Sequence, residues 1–244
     1  MNFFWPIILG IVQGFTEFLP VSSSGHLVIL QNFLPGFNQP GILLDVFLHL
    51  GTAFAVIYFF RKEIVSLVKE YWFFLFVGTL PAGIVGILLQ EKIESLFVNL
   101  KLVGLALLVT AFFNLLSDQI KSLNNKIKVK SSLIIGLFQA VAIVPGVSRS
   151  GATIFAGILS GLGKENSARF SFLLSLPAIF GANILELNHL QNYSLDLTVY
   201  LAGFFSALIS GLVSIKIVLR SLEKKNFRIF GFYCLILAIV VFLI

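Results

Sequence analysis

Charged residues are scarce in this sequence, and their scarcity limits the classes of protein that it can encode. Only 11% of the 244 residues are Asp, Glu, Lys or Arg, whereas 58% are hydrophobic and 27 are Phe. The mean hydropathy is +1.00. A soluble domain of this length cannot cover so much apolar surface, so the composition predicts a polytopic membrane protein.

Cysteine is almost absent as well. The single thiol, Cys234, lies in an apolar run, which excludes a disulfide within the chain and predicts a packing role. A net charge of +6 does not indicate nucleic-acid binding here, because the basic residues are confined to short stretches between apolar runs. The expected surroundings are therefore membrane lipids.

Two apolar regions, 3–34 and 131–162, are interrupted in the middle by Pro, Gly and Ser. In lipid such an interruption leaves backbone groups unpaired unless it is buried in protein or lines a wet cavity. We therefore predict two re-entrant helical hairpins, the first hairpin and the second hairpin, in an all-α fold with six spans. The predicted spans are roughly 42–60, 71–89, 101–119, 168–187, 197–219 and 227–244.

The Lys and Arg residues predict the orientation of these spans. Placing 61–70 in the cytoplasm puts 13 of the 17 basic residues on that side and only Lys92 and Lys101 on the other. The positive-inside rule then places both termini outside. Three spans follow each hairpin, so the second half (about 127–244) is inverted relative to the first (about 1–120) within a single integral membrane domain.

A short motif occurs twice at an offset of 126 residues. Residues 10–26 contain PVSSSGH, residues 136–152 contain PGVSRSGA, and six of the seventeen aligned positions are identical. Three mismatches involve chemically active groups. They are Glu17/Ile143, Ser23/Arg149 and His26/Ala152. Because inverted repeats build binding sites at their interface, we expect the two hairpin tips to meet near mid-bilayer and to form one composite site.

Each ionisable residue at membrane depth requires a reason, because it costs about 2.5–3.5 kcal/mol on insertion scales. Arg149 lies in a serine-rich loop before an apolar run, where backbone N–H groups and a guanidinium would hold a phosphate. The alternative is a structural bridge to Glu17. Glu17 shares a helix face with Gln13, and the two could hold a hard cation, or Glu17 could act as a general base.

The histidines leave alternatives open. His26 directly follows three serines, so it could exchange a proton with a hydroxyl, or it could simply cap or pack. Asp45 and His49 share a helix face, and structural and supporting roles are both open for them. An anion site combined with an acid, a hydroxyl and an imidazole inside a membrane predicts hydrolysis of a lipid-linked phosphate ester or pyrophosphate.

The segments QGFTEFLPVSSSGHL and PGVSRSGATIFAG closely resemble the two signature motifs of the undecaprenyl pyrophosphate phosphatase family of the bacitracin-resistance type. The similarity extends through LLDVFLHLGTAFAVIYFF, TLPAGIVG and FSFLLSLPAIFGAN, and so covers essentially the whole chain. It implies hydrolysis of undecaprenyl pyrophosphate to the monophosphate and inorganic phosphate in the bacterial plasma membrane. This recycles the lipid carrier for peptidoglycan synthesis and confers bacitracin resistance.

The resemblance also implies a divalent cation, Mg²⁺ or Ca²⁺, and a set of site residues. The catalytic residues would be Glu17, Ser23, His26 and Arg149. The substrate-binding residues would be Gln13, Ser22, Ser24, Gly25, Ser148, Ser150, Gly151 and Thr153. Glu17 and Gln13 are the candidate metal ligands, although Gln13 replaces the carboxylate that would complete a two-acid clamp.

Two other functions fit parts of the pattern. Type-2 phosphatidic-acid phosphatases also use SGH and SR elements, but they require a second His after the SR element, and only His189 follows Arg149 here. A transporter or flippase for the lipid carrier would have the same inverted-repeat architecture. The first hairpin carries the acid, the hydroxyl and the imidazole, so we expect the site to open to the outer face.

Overall fold

The computed structural model describes residues 4–33, 43–97, 99–121, 123, 125–186, 197–224 and 226–243. All regular secondary structure in these residues is helical, apart from one isolated bridge between Asn125 and Leu162, which confirms the all-α prediction. The helices of the described residues are α1 (Phe4–Phe18), α2 (Ser23–Phe33), α3 (Leu43–Phe59), α4 (Ile64–Leu88), α5 (Gln90–Leu96), α6 (Leu100–Ser117), α7 (Val129–Val141), α8 (Arg149–Leu159), α9 (Lys164–Glu186), α10 (Leu197–Glu223) and α11 (Arg228–Leu243).

Four of the described helices, α4, α6, α9 and α10, are long and apolar enough to cross a membrane. Helices α3 and α11 lie at the other two predicted spans, but they have only 17 and 16 residues. Many apolar side chains on the outside of the bundle are exposed, such as Ile209 on α10 and Ile236 on α11. Because an outer surface of this kind matches lipid and not water, the protein is a membrane protein.

Some helices extend several residues beyond the predicted spans, whereas others, such as α6 (Leu100–Ser117, predicted as 101–119), end slightly inside them. Helix α4 begins at Ile64 instead of near residue 71, and α10 continues to Glu223 instead of ending near 219. Hydropathy marks only the part of a helix that lies in hydrocarbon, whereas polar turns continue the same helix into the interface. Helix α5, with the polar sequence QEKIESL, was not predicted for the same reason.

Both predicted hairpin interruptions are present. Helix α1 ends at Phe18 and α2 begins at Ser23, and the turn between them contains Ser22 in the left-handed region at φ 71°. Helix α7 ends at Val141 and α8 begins at Arg149, after a turn in which Gly146 has φ +98°. A side chain in the left-handed region is uncommon, so the position of Ser22 marks a constrained turn.

The first helix of each hairpin packs on a long helix from the opposite half of the chain. Helix α1 packs on α10, and α7 packs on α4. The 126-residue offset superimposes α1 on α7 and places α4 over much of α10, so these two contacts correspond. At Gly10 and Gly14, α1 lies so close to α10 that an added Cβ would overlap the carbonyl oxygens of Gly203 and Ala207. Such small-residue contacts allow membrane helices to approach closely.

One end of the bundle is filled with aromatic side chains. Phe18, Phe60, Phe172 and Phe227 are all at most 1% exposed and belong to one apolar cluster, where α3 ends and α9 and α11 begin. The rings of Phe18 and Phe172 meet edge to face, with centroids 5.3 Å apart. This packed end closes the bundle directly beyond the end of α1.

Candidate active site

The two interrupted segments meet inside the bundle, as predicted. Ser150 Oγ, near the start of α8, donates a hydrogen bond of 3.1 Å to the carbonyl of Leu19 in the turn of the first hairpin. Asn114 on α6 donates one of 2.5 Å to the carbonyl of Pro20 in the same turn. These contacts join the start of α8 and helix α6 to the turn carbonyls of the first hairpin, and they hold the tips together.

Glu17 is the centre of the contacts between the tips. Its residue is 6% exposed, and its Oε1 forms an ion pair with the guanidinium of Arg149. Its Oε2 accepts hydrogen bonds from Ser23 Oγ at 2.7 Å and from Gln13 Nε2 at 2.9 Å. The predicted helix-face pairing of Gln13 and Glu17 is therefore present in α1.

Arg149 is the first residue of α8 and reaches across to the first hairpin. Besides its ion pair with Glu17, it donates a hydrogen bond of 3.1 Å from Nη1 to the carbonyl of Ser171 on α9. Its side chain is 17% exposed, compared with 5% for that of Glu17. The guanidinium is therefore the more accessible partner, and it lies at a helix N-terminus, where free N–H groups also favour an anion.

The serines at the start of α8 hold that helix end in place. Ser148 caps α8 by accepting a hydrogen bond from the N–H of Gly151 at 3.1 Å, and its Oγ lies 3.2 Å from that of Ser150. Thr153 Oγ1 lies 2.6 Å from Ser171 Oγ. Because Ser148, Ser150 and Thr153 are at most 1% exposed, these contacts support the loop that presents Arg149. A direct contact of these residues with substrate stays a prediction.

The start of α2 is built in a similar way. Ser22 Oγ accepts a hydrogen bond from the N–H of Gly25 at 3.2 Å and lies 3.3 Å from Ser24 Oγ. Ser23, the next residue, is only partly buried, and its hydroxyl points to Glu17. The turn therefore fixes Ser23 where its carboxylate partner can take its proton.

His26 makes contacts of a different kind. Its Nδ1 lies 2.7 Å from the carbonyl oxygen of Ser22, and its Nε2 lies 2.7 Å from Tyr233 Oη on α11. Because a carbonyl can only accept, Nδ1 carries a proton, and in the neutral form of the ring Nε2 would accept from the Tyr233 hydroxyl. The two rings also stack, with centroids 5.6 Å apart. Proton exchange between His26 and a serine hydroxyl stays a prediction.

The histidine that lies against Glu17 is His49. His49 Nδ1 on α3 lies 3.3 Å from Glu17 Oε2 and 2.8 Å from Gln13 Nε2. Sequence reasoning left a supporting role open for His49 but did not include it among the site residues. The available signal was its i, i+4 spacing to Asp45 on an apolar helix, which does not identify a partner on α1.

A cleft of about 270 Å³ adjoins this cluster. It lies at the end of the bundle opposite the four phenylalanines, where α3 begins and α4 and α9 end. Its lining includes the polar residues Ser24, Asp45, His49 and Gln90 and the apolar residues Leu27, Phe97 and Leu185. A cleft lined by both polar and apolar side chains suits a polar headgroup attached to a hydrocarbon chain.

The site contains part of a ligand set for a hard cation. Gln13 Oε1 is buried and has no hydrogen-bond partner among the described residues, and the Glu17 carboxylate lies one turn away. The described residues contain no group of three or more His, Cys, Asp or Glu side chains able to hold a metal by themselves. The donor set therefore fits a Mg²⁺-like ion that takes most of its ligands from substrate phosphates and water.

Comparison with known proteins gives matches over the whole chain. Residues 6–240 match the sequence model of a family described as bacitracin resistance protein BacA. A protein of Halothermothrix orenii named undecaprenyl-diphosphatase is 41% identical over 100% of this chain and 98% of its own length. Proteins of the same name from Methanobrevibacter smithii (100% of this chain, 98% of its own) and Syntrophotalea carbinolica (96% and 95%) are each 40% identical.

Proposed function

Because the chain belongs to the bacitracin resistance protein BacA family, we propose that it hydrolyses undecaprenyl pyrophosphate to undecaprenyl phosphate and inorganic phosphate. The observation that carries this function is the contact between the two hairpins. A carboxylate, Glu17, holds a serine hydroxyl on one side and the guanidinium of Arg149 on the other. Recycling the carrier in this way supports cell-wall synthesis and bacitracin resistance.

Arg149 binds the pyrophosphate in this mechanism. Its side chain is the more exposed member of the ion pair, and the planar guanidinium matches two phosphate oxygens. Ser148 and Ser150 keep the start of α8 in position, so its N–H groups add to the anion site. Gly25, Gly151, Ser22, Ser24 and Thr153 complete the proposed substrate-binding set at the two helix starts.

Ser23 is the proposed nucleophile and Glu17 its base. The Ser23 proton passes to Glu17 Oε2 as Oγ attacks the terminal phosphorus, and the bond to the bridging oxygen breaks. Undecaprenyl phosphate leaves, and water then hydrolyses the phosphoserine. The alternative is a water activated by the same carboxylate, which transfers the phosphoryl group in one step. His26 remains a proposed catalytic residue, held by Tyr233 beside this turn.

The cation would be held by Glu17 and the unpartnered Oε1 of Gln13, with pyrophosphate supplying further ligands. When bound, Mg²⁺ or Ca²⁺ would offset charge on the leaving phosphate. Gln13 is well placed for this because its amide nitrogen already points to Glu17 and leaves its oxygen free of hydrogen bonds in the described residues.

The proposed membrane arrangement has six spans, two re-entrant hairpins, both termini outside and a location in the plasma membrane of a bacterial cell. It is supported by contacts at the ends of the helices that the basic residues place toward the cytoplasm. Lys164 pairs with Asp118 at 2.7 Å, and the N–H of Arg228 donates to the same carboxylate at 2.9 Å. Arg169 pairs with Glu63 at 3.1 Å. The cleft lies at the other end of the bundle, so the site would open outward.

A lipid-carrier transporter or flippase is the second candidate. In each half the first hairpin helix packs on a long helix of the opposite half, α1 on α10 and α7 on α4. This relation between the halves favours a transporter, because inverted halves are common in transporters. The phenylalanine cluster closes the end opposite the cleft in this conformation, as the inner end of an outward-open transporter would also be closed, so it does not separate the two candidates.

Phosphate release in detergent distinguishes the two candidates, because detergent abolishes sidedness. Purified protein should release inorganic phosphate from undecaprenyl pyrophosphate when Mg²⁺ or Ca²⁺ is present. Absence of release with either cation would refute the hydrolase and favour the transporter. Phe54→Ala, a truncation on the outer surface of α3, provides a control that should retain activity.

A further inference from the structure

We propose that His49 is a positioning residue of the reaction, which keeps the Glu17 carboxylate directed at Ser23 while Arg149 is occupied by substrate. This inference rests on the proposed hydrolysis and assigns a role to a side chain outside the two repeated motifs. Three groups contact one carboxylate oxygen, Glu17 Oε2, and His49 is one of them, at 3.3 Å.

Such a residue is needed because Arg149 contacts Glu17 in the free protein and the pyrophosphate when substrate binds. In the free protein its guanidinium neutralises Glu17. When a pyrophosphate binds, the guanidinium must turn part of its hydrogen bonding to phosphate oxygens. Glu17, whose residue is only 6% exposed, would then lose the guanidinium contact that fixes the direction of its carboxylate. Other donors must hold the carboxylate if it is to keep its place.

His49 and Gln13 form the contact that can do this. Gln13 Nε2 donates to Glu17 Oε2 at 2.9 Å and lies 2.8 Å from His49 Nδ1, which is itself 3.3 Å from Glu17 Oε2, so these three side chains form a triangle. Because an amide N–H only donates, Nδ1 accepts from Gln13, and His49 acts on the carboxylate through Gln13. The triangle joins α1 to α3, and it is independent of the second hairpin. It therefore remains intact when Arg149 moves toward a ligand.

The position of His49 in the fold fits this role. Its side chain is 30% exposed and lines the cleft, with Asp45 one turn before it on the same wall. The N-terminal part of α3 is fixed by a hydrogen bond of 2.9 Å from Gln31 Nε2 to Asp45 Oδ1. Immediately after His49, Thr52 Oγ1 donates to the His49 carbonyl at 2.7 Å. The ring is thus held on a rigid wall between the cleft and the carboxylate.

A comparison of His49 with the corresponding residue of the second half supports this role. At the 126-residue offset His49 corresponds to Ser175, which is fully buried and donates its hydroxyl to the carbonyl of Phe172. The equivalent point of the second half is therefore a packed helix interior. At this position the first half presents a ring nitrogen to the cleft, whereas the second half has a packed hydroxyl.

Two variants of matched shape test the proposal. Asn places an amide where Nδ1 lies and can present either its oxygen or its nitrogen there, whereas Leu has nearly the same shape without polar atoms. In detergent with Mg²⁺ and undecaprenyl pyrophosphate, His49→Leu should lower kcat on the order of 10- to 100-fold with little change in KM. His49→Asn should recover most of that loss.

A double-mutant cycle identifies the route by which His49 acts. If it acts through Gln13, then Gln13→Ala combined with His49→Leu should be little worse than the more damaged single variant. Fully additive losses would show that the two residues act independently and would overturn the triangle.

The remaining outcomes are equally decisive. His49→Leu with a wild-type kcat would refute the role of His49 while leaving the proposed hydrolysis intact. Equal damage in the Asn and Leu variants, with both proteins monodisperse and similarly stable, would refute positioning by a hydrogen bond. A wild-type protein that releases no phosphate would refute the proposed function, and this inference would fall with it.

Discussion

The ion pair of Glu17 and Arg149 predicts that removing one of its charges destabilises the protein more than removing both. Arg149→Gln should destabilise the protein more than the double change Glu17→Gln with Arg149→Gln. In the single variant the Glu17 carboxylate, whose side chain is 5% exposed, loses its full positive partner. In the double variant no unpaired charge remains, and two amides of similar size can bond to each other across the same contact.

The size of the effect follows from the contacts that remain. Removing one partner of a buried pair typically costs about 3–5 kcal/mol, whereas replacing both is often nearly neutral. Glu17 would keep hydrogen bonds from Ser23 at 2.7 Å and Gln13 at 2.9 Å, which places the loss at the low end of that range. We therefore expect the double variant to be more stable than Arg149→Gln by about 2 kcal/mol.

Thermal unfolding in one detergent, with phosphate release measured on the same samples, provides the assay. The expected order of unfolding temperatures is wild type, then the double variant, then Arg149→Gln, with both variants nearly inactive. An activity loss without the stability rescue would separate the catalytic role of Arg149 from the pairing. A double variant less stable than Arg149→Gln would refute the argument that the pair compensates a buried charge.

Three further predictions concern the nucleophile, the cation and the helix contact. Ser23→Ala should lower phosphate release by about 10²-fold or more and abolish trapping of labelled phosphate on the protein. The control Ser221→Ala on α10 should change neither, and near-normal turnover in Ser23→Ala would exclude the serine as nucleophile. Chelation with EDTA should stop phosphate release and added Mg²⁺ or Ca²⁺ should restore it, whereas undiminished release in EDTA would refute the cation requirement. Gly14→Leu should destabilise the protein by about 1–3 kcal/mol, because a Cβ there overlaps α10. The control Gly83→Leu, with open space around its Cβ, should not, and equal unfolding temperatures of the two variants would contradict the close packing of α1 on α10.

The meeting of the two hairpin tips was predictable from the sequence because the chain carries two copies of one motif. The copies differ at Glu17/Ile143 and Ser23/Arg149, so the charged groups are complementary instead of duplicated. Two oppositely charged groups at membrane depth have a strong reason to pair. The pairing of Arg149 with Glu17 was only the alternative to an anion-binding role in the sequence prediction, and it is the contact that the structure shows.

The partners of the histidines were not predictable, because they depend on distances between helices that no local pattern encodes. His26 meets Tyr233, which is 207 positions away in the sequence. His49 meets Gln13 and Glu17 only because α3 packs on α1. Periodicity shows which face of a helix a residue occupies, but it does not show which helix covers that face.

Helix lengths were only partly predictable for a related reason. Hydropathy located every long apolar segment, but the predicted spans left out the first turns of α4, at 64–70, and the short polar helix α5. Both lie next to charged residues, such as Glu63 and Lys69, at which a window chosen to cross hydrocarbon is cut off.

Phosphate release by the purified wild-type protein and by Glu17→Gln, compared under saturating undecaprenyl pyrophosphate and Mg²⁺, tests the central claim most directly. Glu17→Gln keeps the shape of the side chain and removes the base that contacts Ser23. The wild type should convert the substrate to undecaprenyl phosphate and inorganic phosphate, and Glu17→Gln should be slower by about 10²–10⁴-fold. Equal rates for the two proteins would contradict a reaction centred on Glu17 at the meeting point of the hairpins.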